Sequence, residues 1–65
     1  PRHAAYDLSD DARALLRHFD ADPVTMDVLQ LRSGLAPSEL AALLMDMEFD
    51  GAVRRVAGNR YEKTI

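Results

Sequence analysis

At 65 residues the chain holds one small domain, close to the lower limit of what a single apolar core stabilises. With 48% apolar residues and no cysteine it reads as a globular folder without disulfides or thiolate metal sites. A formal net charge of −3 works against nonspecific binding to polyphosphate, although a local basic patch can override it.

Pro1 to Leu8 reads as an irregular lead-in, the end of an interdomain linker, and the start at Pro1 without an initiator Met suggests a fragment of a longer protein. Ser9 is placed to cap a first helix, with Asp10 and Asp11 favouring its positive end. Ala12, Leu15, Leu16 and Phe19 recur at helical spacing as one apolar stripe. The helix ends over Asp20 to Pro23, because Asp22 precedes a proline and is pushed out of the helical region. Val24 then forms a brief extended segment and Thr25 caps a second helix, Met26 to Ser33, with Met26 and Leu29 inward and Gly34 at its left-handed end.

Leu35 and Ala36 make a turn, and Pro37 opens a third helix that runs to Asp50 and ends at Gly51. Ala36 offers no side chain to cap it. Ala52 to Val56 reads as a strand, Gly58 and Asn59 as a tight turn, and Arg60 to Thr64 as the returning strand. The expected core is Leu15, Leu16, Phe19, Met26, Leu29, Leu35, Leu40, Leu43, Leu44, Met47, Val53 and Tyr61. The fold class is therefore mainly α with a small β-hairpin, a three-helix winged helix-turn-helix over residues 9–65 behind a linker remnant at 1–8.

The residues from Val24 to Leu35, the run Leu40 to Val53 and the Gly58-Asn59-Arg60-Tyr61 wing resemble the C-terminal winged helix of the DprA/Smf DNA-processing family. The resemblance spans about Ser9 to Lys63. It implies a parent protein in which an N-terminal Rossmann-like domain binds single-stranded DNA and helps load recombinase during natural transformation. The winged helix is then an accessory module for which duplex contact and protein contact are both open roles. Where the family pattern has Ser or Thr before the third helix, this chain has Ala36.

Nothing in the residues points to an enzyme. His3 lies in the lead-in and His18 on the outer face of the first helix, both read as surface groups. Asp10 and Asp11 are read as helix-dipole residues, and Ser9, Ser33 and Ser38 have no histidine partner in the sequence pattern. There is no phosphate loop, and no cofactor or metal is expected. No apolar run approaches the roughly 20 residues that span a bilayer, so no membrane association is expected, and the location is expected to be cytoplasmic.

The third helix carries Glu39, Asp46, Glu48 and Asp50 and no Lys or Arg. Its face opposite the core holds Ser38, Ala41, Ala42, Met45 and Phe49, whereas base edges are read by Arg, Lys, Asn or Gln. Phe49 either stands on that face or folds beneath the hairpin. With Val28 and Leu31 of the second helix, Met45 and Phe49 are the candidates for a protein contact: with the parent's Rossmann-like domain, with a second copy, or with another protein. The alternative is weak, sequence-independent duplex DNA binding by Arg54, Arg55, Arg60 and Lys63 of the hairpin. Alternation sends Arg54 and Arg60 away from the Val53/Tyr61 side. Charges there also serve to protect an edge strand from unwanted pairing.

Overall fold

The computed structural model describes residues 8–64. In chain order it comprises α1 (Asp10–Leu16), β1 (Val24–Thr25), α2 (Met26–Ser33), α3 (Pro37–Phe49), β2 (Val53–Val56) and β3 (Arg60–Lys63). Three helices with a three-stranded antiparallel sheet make it a winged helix. The expected lead-in over residues 1–7, His3 included, lies outside the described residues. Leu8, expected to belong to that linker, is buried in the core, so the packed unit begins no later than Leu8.

Each helix start follows from local chemistry. Ser9 Oγ accepts from the Ala12 amide at 3.1 Å, and Thr25 Oγ1 accepts from Val28 at 3.2 Å, each satisfying a first-turn donor that has no partner within its helix. Before α3 the extended Ala36 supplies no such oxygen. Instead, the Glu39 carboxylate reaches back to accept from the Ala36 amide at 3.1 Å, half of a capping box, and Pro37 occupies the first turn, where an N–H is dispensable.

The first helix ends sooner than its apolar stripe predicts. After Leu16 the chain tightens into three-residue turns, with the amides of Arg17, His18 and Phe19 donating to the carbonyls of Ala14, Leu15 and Leu16. Phe19 still reaches the core. Arg32 of α2 then ties this corner down: its guanidinium donates to the His18 carbonyl at 2.8 Å and pairs with Asp20 at 3.0 Å.

Helix α3 ends in a Schellman motif. The Ala52 amide donates to the Met47 carbonyl and the Gly51 amide to that of Glu48, which requires the φ of +83° that Gly51 adopts. Met47 and Ala52, the pair this motif brings together, are both fully buried.

The hairpin loop has three residues, Ala57 to Asn59, because Val56 pairs with Arg60. Gly58 and Asn59 both take positive φ (84° and 56°), so the expected Gly-Asn turn is longer by one residue. Strand β3 lies in the middle of the sheet, order β1-β3-β2, with Val24 opposite Tyr61 and Arg55 opposite Tyr61 on the other flank. The isolated extended segment expected at Val24 is thus the third strand.

The core comprises Leu8, Ala12, Leu15, Phe19, Val24, Leu29, Leu40, Leu44, Met47, Ala52, Val53 and Tyr61. Leu16, Met26, Leu35 and Leu43, expected fully inside, are half-buried against it. Among the described residues no polar or charged side chain is buried, so the interior is held by apolar packing alone.

Candidate functional site

The outer face of α3 is where apolar surface collects. Phe49 is 86% exposed and Met45 69%, so Phe49 does not fold beneath the hairpin. Ser38, Ala41 and Ala42 are exposed around them. The reason is periodic. Leu40, Leu44 and Met47 fix which side of α3 faces inward, and residues 45 and 49 then fall on the opposite side at about 100° per residue.

The four residues grouped from the sequence as protein-contact candidates are not equivalent. Val28, expected to project outward, is half-buried and packs against the core, so it leaves the exposed set. Leu31 is 85% exposed on α2 and lines a shallow depression with Asp27, Gln30, Gly34 and Leu35. Phe49 instead borders a concavity between α1 and α3 with Leu8, Ala12 and Leu43. That neighbourhood was hidden in the sequence because Leu8 and Ala12 come from a segment some forty positions away.

The hairpin cations are exposed but partly committed. Arg54 is paired through its Nε with Glu62, its cross-strand neighbour. Arg55 lies over the Tyr61 ring, 5.4 Å from guanidinium carbon to centroid, with Nη2 3.9 Å from Glu48 of α3. Arg60 Nε donates to the Ala57 carbonyl at 2.9 Å and so closes its own turn. Lys63 is exposed at the end of β3, opposite Val53 in the register. Glu62 and the α3 partner Glu48 were the unanticipated members of this set; the three-residue loop sets the register that brings Glu62 opposite Arg54.

His18 is half-buried on the turn after α1, and its backbone rather than its ring makes the contact with Arg32. Among the described residues no three His, Asp or Glu side chains converge on a metal-sized site. None of the described helices is long and apolar enough to cross a membrane.

The family model of the DprA winged helix domain matches residues 1–59. This chain belongs to the DprA winged helix domain family. No curated protein and no solved structure matches it. Within the family's fold, this DprA winged helix presents an acidic α3 bearing two exposed large apolar residues, and a hairpin whose arginines are engaged with their own neighbours.

Proposed function

We propose that this domain is a non-enzymatic accessory module of a DprA-like DNA-processing protein serving natural transformation and recombination, and that it works by contacting protein through α3. Its target is the parent's N-terminal Rossmann-like domain, a second copy, or another recombination protein. The observation that carries this reading is Phe49, 86% exposed at the end of a helix without a single cation. Covering Phe49 and Met45 would contribute on the order of 3–6 kcal/mol gross. The same helix disfavours base-edge readout, since Asp46, Glu48 and Asp50 repel phosphates and Ala41, Ala42 and Met45 offer no bidentate donor.

A second reading, weak duplex contact through the wing, is favoured by one observation: Arg54 keeps 69% of its side chain exposed despite its pairing with Glu62. NMR titration of the labelled chain separates the two. With the parent's Rossmann-like domain added, resonances of Met45 and Phe49 should shift, and Phe49→Glu should abolish the shift while leaving the remaining spectrum folded. With duplex DNA at low salt, perturbation confined to the hairpin supports the second reading. Association that survives Phe49→Glu, in a chain that sediments as a monomer at high concentration, overturns the first.

A further inference from the structure

A groove of about 560 Å³ runs between α1 and α3. Its floor is apolar, formed by Leu15, Leu35 and Leu43, and its edges carry Asp11, Glu39 and Asp46. A second concavity of about 290 Å³ shares Leu43 and Asp46 and continues to Phe49 and Asp50. Together they make one trough with a leucine floor, an aromatic at one end and carboxylates along both sides.

The charge arrangement is one-sided by construction. Glu39, Asp46 and Asp50 fall within roughly 40° of one another around α3 at about 100° per residue, a single stripe turned toward α1. On α1, Arg13 stands roughly 200° around the helix from Asp11, so that cation points away from the trough. Among the described residues no Lys or Arg lines either part, and His18 is the one basic side chain in the lining.

This pattern selects among occupants. Duplex phosphates would meet carboxylates. A second copy would set the same acidic stripe against this one, like charge facing like. What complements an apolar floor between acidic edges is a helix with apolar residues on one face and cations flanking them.

We propose that the α1/α3 trough is the docking site for a basic amphipathic helical segment of a protein partner. Its apolar side chains lie on Leu15, Leu35 and Leu43, and its Lys and Arg face Asp11, Glu39 and Asp46. This rests on the protein-contact reading of α3 and narrows it from the exposed Phe49 to the trough beside it, with the partner's chemistry named.

The probe is a synthetic amphipathic peptide of about 18 residues, about five helical turns, with leucines on one face and Lys/Arg on the flanks, compared with the same peptide bearing Glu in place of every cation. Titrated against the 65-residue chain by fluorescence anisotropy, the basic peptide should bind at least about tenfold more tightly than the acidic one and weaken with added salt. Asp46→Lys should weaken it about tenfold. Glu48→Lys makes the same change in net charge on the flank of α3 that faces the wing, and should leave affinity within about twofold. Amide shifts should map to Leu15 and Leu43.

Equal binding of the two peptides, no binding of the basic one, or equal weakening by Asp46→Lys and Glu48→Lys would overturn the proposal. So would concentration-dependent dimerisation that shifts the same trough residues. If the peptide fails while Phe49→Glu still abolishes association with the Rossmann-like domain, the trough assignment falls and the protein-contact reading stands. If the peptide binds in the trough and Phe49→Glu has no effect on that association, the reverse holds.

Discussion

Arg55 lies over the ring of Tyr61, 5.4 Å from guanidinium carbon to ring centroid, and the same guanidinium comes within 3.9 Å of Glu48. Tyr61 is buried on the central strand and Glu48 sits near the end of α3, so one side chain joins the wing to both the sheet and the helix. Arg55, a candidate phosphate contact from the sequence, thus also holds a structural contact. Arg55→Ala should destabilise the domain by about 0.5–1 kcal/mol, the range for an exposed cation–π contact. Arg55→Lys should recover part of that stability, because an ammonium also sits over a ring but lacks the planar fork. Urea denaturation monitored by circular dichroism measures both, and an unchanged midpoint for Arg55→Ala would show that the ring contact contributes nothing.

The remaining wing cations set a limit on DNA affinity. Arg54→Ala combined with Arg60→Ala removes two exposed charges, one paired with half-buried Glu62 and one donating to the Ala57 carbonyl, and surface pairings of this kind are worth little to stability. If the wing holds a duplex, the slope of log affinity against log salt should become shallower by about 2, roughly 0.9 for each phosphate that is no longer neutralised. Anisotropy with a labelled duplex across a salt series checks this. A slope that the double substitution leaves unchanged excludes the wing as the binding surface.

Two bulky apolar residues of similar hydrophobicity should respond in opposite ways. Leu29 is completely buried, and Leu29→Ala should cost about 2–5 kcal/mol through reduced burial and the cavity left behind. A domain of this size has a total stability of only roughly 3–10 kcal/mol, so the loss is a large share of it and the melting temperature should fall steeply. Phe49→Glu should stay within about 0.5 kcal/mol of the parent, since the ring gives up almost no buried surface. Thermal melts of the two variants decide the matter; a Phe49→Glu domain that melts as early as Leu29→Ala would place Phe49 in the core.

What the sequence could and could not disclose follows from the range of the interactions involved. The caps at Ser9 and Thr25, the stop at Gly51 and the inward side of α3 are set by neighbours within a few positions, and the chain displays them openly. The early end of α1 is different. The apolar stripe continues through Leu16 to Phe19, but the backbone leaves the helix and Phe19 reaches the core from a turn. The burial of Val24 depends on pairing with Tyr61, far away in sequence, so a two-residue strand looked like an isolated extended piece. Leu8 and Ala12 beside Phe49 were illegible for the same reason, as were the acidic edges of the α1/α3 trough, which come from two helices. Exposure of Met45 followed from helical phase, whereas that of Phe49 needed the hairpin's actual course.

The start of α3 offers a gain. Ala36 sits at φ −66°, ψ 151°, the extended conformation of an N-cap, yet has no side-chain oxygen to offer the first-turn amides. Glu39 already supplies the reciprocal half by accepting from the Ala36 amide. Ala36→Ser therefore completes a Ser-x-x-Glu capping box without moving the backbone, because the hydroxyl can reach the Glu39 amide just as Ser9 reaches Ala12 at the start of α1. The expected gain is about 1 kcal/mol. For a domain of this length that raises the melting temperature by about 4–8 °C. Differential scanning calorimetry measures it directly, with Ala36→Val as the control, since valine fills space at the same position and cannot accept the bond. If Ala36→Ser melts no higher than Ala36→Val, the first turn of α3 is already satisfied by other means and the half-box at Glu39 is sufficient.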